Sequence, residues 1–281
     1  MKLLGPPPSS AELDIFQQDI LRRWRELYGR YPENRKVRAG LGAALWDRAS
    51  SAAQRFNKPQ EAITVGRELQ ENIRTGMANE PKNKLLPAAY AGCLGVLAIA
   101  YEAVGEKDKA VQASEEAEAF YDKAVEDDPG NLRLLADAAD AARNLSYRAA
   151  SISKKRSRDA ELIARERYRT LTALDPANAE WRYNFAMTHM MECYYLEGDG
   201  QIEAARQAFK RFDSLIQNLT LNRGMRASSR ITASKWHGWP RPRATMPMPA
   251  PSLRPPNPGF RRSTTNSPPR RLIAFRPASA G

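Results

Sequence analysis

Four Pro-x-Asn tripeptides punctuate the chain at nearly constant spacing: Pro32-Glu33-Asn34, Pro81-Lys82-Asn83, Pro129-Gly130-Asn131 and Pro176-Ala177-Asn178, with successive prolines 49, 48 and 47 residues apart. A fixed period of this kind restricts the fold more than composition does, because one such unit cannot bury its apolar face alone and must lean on the next copy. Side chains at equal distances from the four asparagines share physical character. Three residues on stand Val37, Leu86, Leu134 and Trp181, and seven on stand Leu41, Tyr90, Ala138 and Phe185. Eight on are the small residues Gly42, Ala91, Ala139 and Ala186; fifteen on are Ala49, Ala98, Ser146 and Cys193; eighteen on are Ala52, Tyr101, Ala149 and Leu196. These offsets share one face of a helix of about five turns, and the small positions admit close helix approach.

Counting back from each proline gives a second helix. Sixteen before it are Phe16, Val65, Ala113 and Ala160; twelve before, Ile20, Leu69, Ala117 and Ala164; eight before, Trp24, Ile73, Tyr121 and Tyr168. That i, i+4, i+8 stripe is again helical. Between the two helices of each unit lie turn-like segments: Asn57-Lys58-Pro59, Gly105 to Asp108, Lys154 to Asp159, and Gly198-Asp199-Gly200. Proline ends each second helix by barring the preceding residue from helical geometry. The expected fold is all-α, a right-handed α-solenoid of stacked helical hairpins. It consists of a helix over 12–30 followed by repeats at about 32–80, 81–128, 129–175 and 176–222. Residues 1–11 are expected to be flexible.

The run Leu174-Asp175-Pro176-Ala177-Asn178-Ala179-Glu180-Trp181-Arg182-Tyr183-Asn184-Phe185-Ala186, continued by Tyr194 to Asp199 and Glu203-Ala204-Ala205, resembles the tetratricopeptide-repeat (TPR) family. The resemblance covers about residues 12–220. It departs in length, since the period near 48 exceeds the family's common one of about 34, so both helices are longer and the family's groove positions do not transfer one by one. HEAT-like pairing, with a period of about 40 to 47, is the structural alternative. Similar long-period arrays follow the catalytic domains of bacterial serine/threonine kinases and occur in other multidomain signalling proteins. The resemblance therefore implies a non-enzymatic scaffold or regulatory module that binds a protein or peptide. The helix over 12–30 matches a second helix with no first helix before it, which suggests a fragment of something longer.

The chain holds 44 Lys+Arg and 32 Asp+Glu, but from Arg223 onward there are 12 basic residues and no acidic ones, leaving 32 of each before it. All the excess charge belongs to 223–281, which also carries eleven of the twenty prolines. Such a segment buries too little apolar surface to offset ordering entropy, so it is expected to be disordered. Three readings stand open for it: a cationic tail for nucleic acid or anionic membrane, a solvated linker, and a frame-shifted end. The first supports the alternative function of a nucleic-acid-associated protein, with Trp236, Trp239 and Phe260 as sparse stacking sites.

Cys93 and Cys193 stand alone without CxxC spacing, which fits a reducing cytoplasm and no zinc site. Met1 to Ser10 lacks the apolar run of a secretory signal. Leu85–Tyr101 runs seventeen residues without a charge; interrupted by Pro87, Gly92 and Gly95, it reads as a buried helix and no membrane span is expected. No cofactor, metal or catalytic residue is expected: P-loop, dinucleotide, zincin and nucleophile-elbow motifs are absent from the sequence. His189 and Cys193, one turn apart, sit in packing positions of the repeat. The carboxylates Glu115, Glu116, Glu118 and Glu126 to Asp128 read as a solvated outer face, and Lys154 to Arg158 as a basic exposed loop. Solenoids bind partners along their first helices. The first-helix offsets 6, 10, 13 and 17 supply the candidate groove: Asp137, Asn144, Arg148, Asn184 and Thr188 at its polar end, Gly40, Ala44, Ala89, Cys93 and Val96 at its apolar end.

Overall fold

The computed structural model describes residues 9–217 and 219. Among them are nine α-helices and no strand: α1 (Ser10–Arg30), α2 (Arg35–Gln54), α3 (Pro59–Asn79), α4 (Leu85–Ala103), α5 (Lys107–Asp127), α6 (Leu132–Ala149), α7 (Lys154–Leu174), α8 (Ala179–Gly198) and α9 (Ile202–Gln217). Each helix packs chiefly on its neighbours in the sequence, and α2 also touches α4. The result is an α-solenoid of stacked hairpins in which α2, α4, α6 and α8 are first helices and α1, α3, α5, α7 and α9 second helices.

The recurring tripeptide has a physical explanation at both of its ends. The residue before each proline, Tyr31, Glu80, Asp128 or Asp175, leaves helical geometry with φ between −133° and −145°, as the clash with the proline ring demands. Proline then occupies the second position of a β-turn, closed by the asparagine amide donating to the carbonyl three residues back at 3.1, 2.9, 3.1 and 3.2 Å. Asn34, Asn131 and Asn178 cap the next helix, each side-chain oxygen accepting from first-turn amides. Asn83 sits one residue earlier and accepts from the Leu85 amide at 3.2 Å.

Within hairpins, three turns place a residue in the left-handed region: Asn57 at φ 52°, Gly105 at 82° and Gly200 at 74°. The amides of Glu106 and Gln201 then donate back to the carbonyls of Tyr101 and Leu196, satisfying helix-end acceptors. The third hairpin differs from expectation. Lys154 to Asp159 are not a turn but the start of α7, because Ser153 caps that helix by accepting from the Arg156 amide at 3.3 Å; the chain reverses over 150–153 instead. The basic run is therefore helical, and Ser157 within it is buried. Similarly, α1 begins at Ser10 rather than 12, because Ser9 and Glu12 exchange hydrogen bonds in a capping box.

The repeat-aligned core is found in place. Ala49, Ala98, Ser146 and Cys193, all at offset 15, have no solvent exposure. On the second helices Val65, Ala113 and Ala160 are 4%, 6% and 2% exposed, whereas the equivalent Phe16 on α1 is 60% exposed. Helix α4 is long and apolar enough to cross a bilayer, but half of its most apolar stretch is buried, between α3, α5 and α2. Hairpins are also tied by charge: the wholly buried guanidinium of Arg48 on α2 pairs with Asp14 of α1 at 2.5 Å and Glu61 of α3 at 2.5 Å. Residues 1–8 and 220–281, with the expected flexible start and the Arg/Pro-rich segment, lie outside the described residues.

Candidate functional site

A first helix sandwiched between the preceding second helix and its own partner keeps only one strip in contact with solvent. On α2, α4 and α6 this strip runs through offsets 2, 5, 9 and 12 from the capping asparagine: Lys36, Ala39, Ala43 and Trp46; Leu85, Ala88, Gly92 and Gly95; Arg133, Ala136, Asp140 and Arg143. It continues through Ile99 and Glu102 on α4 and Tyr147 on α6, and on α8 it runs through Glu180, Met187, Tyr194 and Glu197. The strip on α4 is uncharged from Leu85 to Ile99. Its glycines shape it: a Cβ at position 92 would lie 2.5 Å from Cη2 of Trp46, so the indole of α2 rests over α4 there, while a Cβ at position 95 would meet nothing within 4 Å.

The groove residues expected from sequence are divided by the structure. Asp137 lies 4.0 Å from Arg133 with its side chain nearly half exposed, and Asn144 is half-buried. Asn184 and Thr188 are not on a solvent-facing groove: they are 2% and 0% exposed. Arg148 is also interior, its guanidinium 3.2 Å from Glu102 of α4 and 3.3 Å from the Ser114 hydroxyl of α5, and burial pulls its pKa down. Of the apolar set, Cys93 donates to the Gly66 carbonyl of α3 at 3.3 Å, and Ala44 and Val96 are buried. The reason is angular. Offsets 6, 10 and 17 point about 100° away from the free strip, one residue's rotation, towards neighbouring helices. A sequence signal for the right face existed at offset 2, where Lys36, Arg133 and Glu180 put charge in three of four repeats.

Asn184 and Thr188 belong instead to a network between α6, α7 and α8. Arg143 donates to the Asn184 side-chain oxygen at 3.0 Å. The Tyr195 hydroxyl bonds Ser146 at 2.9 Å and Ser157 at 2.6 Å, and Ser157 donates to the Ser146 carbonyl at 2.7 Å. Arg165 reaches the Thr188 carbonyl at 3.2 Å and Glu192 at 3.1 Å. Glu161, 2% exposed, lies among them with neither carboxylate oxygen hydrogen-bonded. Burial pushes its pKa up to about 7, against the opposing pull of the Ser146 hydroxyl, Arg143 and Arg165.

Nothing in the thiols or the histidine is poised for reaction. Both cysteines are free and buried, and burial pushes each up to about 12, leaving them protonated and poor nucleophiles at neutral pH. His189 bonds Glu192 at 3.3 Å and lies edge-on to Phe185. Among the described residues no group of three or more His, Cys, Asp or Glu is placed to hold a metal ion. The basic run of α7 is internally paired, Lys155 with Asp159, Arg156 with Glu115 of α5, and Arg158 with Asp199.

No family model and no curated protein matches the chain. Among solved structures, BtubC (BKLC) from P. vanneervenii is similar at a TM-score of 0.56 and 15% identity, covering 86% of this chain and 98% of that one. Two structures of MamA align at TM-scores of 0.37 and 0.31, with 17% and 15% identity, over 75% of this chain and 97% and 99% of theirs. The likeness to BtubC shows a shared helical-repeat fold; the MamA alignments are too loose to argue from.

Proposed function

We propose that residues 12–222 are a non-enzymatic, TPR-like interaction module that holds a protein or peptide partner along the free strip of its first helices. One observation carries this reading. The strip of α4 is exposed at Leu85 and partly exposed at Ala88, Gly95 and Ile99, yet carries no charge from Leu85 to Ile99, on a protein whose other surfaces are laced with ion pairs. Exposed apolar surface with a polar rim marks a place where another chain sits, and a stack of hairpins supplies it continuously. The buried, protonated thiols and the packed His189 support a role without chemistry, and two free cysteines fit a cytoplasmic setting. The period near 48 residues resembles that of long-period arrays in bacterial signalling proteins, which favours a scaffold or regulatory arm of such a protein.

Gly95→Glu tests the reading, because position 95 has free space for a side chain and the substitution puts a charge on the strip without disturbing packing. Proteins captured by the immobilised full chain from its own cell extract should be lost with Gly95→Glu and kept with Gln112→Glu on the outer side of α5, with helical content unchanged in both. Identical capture by Gly95→Glu and the unsubstituted chain would remove the proposal. Association of residues 223–281 with nucleic acid is the second reading; it is supported by their twelve positive charges and predicts retention on nucleic acid that falls steeply with salt.

A further inference from the structure

The charges on α2 and α6 make the free strip complementary to a copy of itself. Its middle lane, on α4, is apolar at both ends, with Leu85 77% exposed and Ile99 partly exposed. The lanes on either side carry opposite charges at opposite ends. On α2 the exposed Asp47 stands towards the C-terminus, and among the described residues it neither bonds nor pairs with any group; partial desolvation without a cation nearby raises its pKa. On α6 the cation stands at the N-terminus. Arg133 touches Asp137 at 4.0 Å, with its own side chain 66% exposed.

A two-fold axis through Gly92, perpendicular to the strip, lays α4 antiparallel on α4 of a second copy and α2 on its α6. Counted from the capping asparagines, Leu85 then faces Ile99 of the second copy, and Lys36 faces its Tyr147. Asp47 comes within one helical turn of Arg133 of the second copy. Two-fold symmetry makes each of these contacts twice. The charged pairs are attractive, the lysine over an aromatic face and the carboxylate beside a guanidinium, and the helix dipoles oppose one another favourably. The Trp46 indole, which rests over Gly92, lies close to the axis as an aromatic anchor. The area is also sufficient. Helices α2, α4 and α6 hold 20, 19 and 18 residues; at about 27 Å long and about 9 Å apart, they present roughly 700 Å² on each copy, near the roughly 800 Å² per partner of a stable complex. We infer that a second copy of this chain occupies the strip, forming a two-fold dimer about an axis through α4. The inference rests on the first-helix strip being the binding face, and it adds that a different protein must compete with the dimer for that surface.

Sedimentation equilibrium of the nuclease-treated full chain tests the dimer. With a dissociation constant in about the micromolar range, the mass at about 100 μM should approach twice that of one chain. Asp47→Arg and Arg133→Asp each set like charges against one another at both contacts, so either alone should weaken association at least about tenfold. An equimolar mixture of the two variants has opposite charges at both contacts and should recover the doubled mass. Mixing would not rescue a variant that had merely lost its fold, and circular dichroism of each variant checks that helical content is kept. A mass that stays at one chain up to the highest concentration would overturn the inference while leaving capture of other proteins, and hence the proposed function, intact. Association that neither substitution weakens, or that mixing does not restore, would show that the copies do not meet through the strip.

Discussion

Replacing Glu161 with Gln removes a titrating carboxyl from the interior of the last hairpins and should change how stability depends on pH. The carboxyl is buried between α6, α7 and α8 with neither oxygen hydrogen-bonded. Arg143 from α6 and Arg165 from its own helix supply opposing charge, and Ser146 of α6 and Tyr195 of α8 lie nearby. Burial outweighs these and raises the pKa from 4.5 to about 7. A carboxyl whose folded pKa lies above its unfolded one binds more protons when folded. Its contribution is complete below about pH 4.5 and is lost as pH rises to about 7. Integrated, the shift is worth at most about 3 kcal/mol. At pH 5 the protonated acid and the amide are near equivalents, so the two proteins should melt together. At pH 8 the unsubstituted chain must hold a charge in its interior, and Glu161→Gln should melt up to about 10 °C higher. Thermal unfolding followed by circular dichroism at pH 5, 6, 7 and 8 gives the comparison. A gap that stays constant with pH, or a Gln variant less stable at pH 8, would show that Arg143 and Arg165 hold the ionised form and that the reasoning from burial is wrong.

Two glycines make opposite predictions. A Cβ at Gly40 would come within 2.2 Å of the Trp24 ring, so Gly40→Ala should cost about 1–3 kcal/mol by overpacking. Gly95→Ala has free space and should gain up to about 1 kcal/mol of helix propensity; urea midpoints of the two variants should move in opposite directions. Asn178 accepts from the amides of both Glu180 and Trp181, so Asn178→Ala should cost about 1 kcal/mol, visible as faster hydrogen exchange in the first turn of α8.

How much of this was legible beforehand follows from the range of the forces involved. The Pro-x-Asn punctuation works through local sterics, a β-turn and a cap, so it announced every boundary between hairpins, and the offset-15 slot announced its small residues because repeats cannot approach closely without them. Two local features mislead. Ser153 is a weaker cap signal than the charged run after it, so sequence alone puts the third hairpin's turn in the first turns of α7. The capping box of Ser9 and Glu12 starts α1 at Ser10, ahead of its apolar stripe. The expected groove positions Asn184, Thr188 and Arg148 lie inside the stack because offsets 6, 10 and 17 face neighbouring helices, about one residue's rotation from the exposed strip.

Helix type, repeat length, hairpin order and the small-residue seam are properties of the sequence taken alone, because each depends on residues within a turn or two of one another. Which side of a first helix meets water is not, since it depends on the angle at which the preceding second helix docks. A rotation of one residue, about 100°, exchanges a buried ion pair for a solvent-facing strip. That angle comes from side chains some forty positions apart in sequence, as when Arg143 meets Asn184 or Trp46 covers Gly92, and only the packed tertiary structure brings them together.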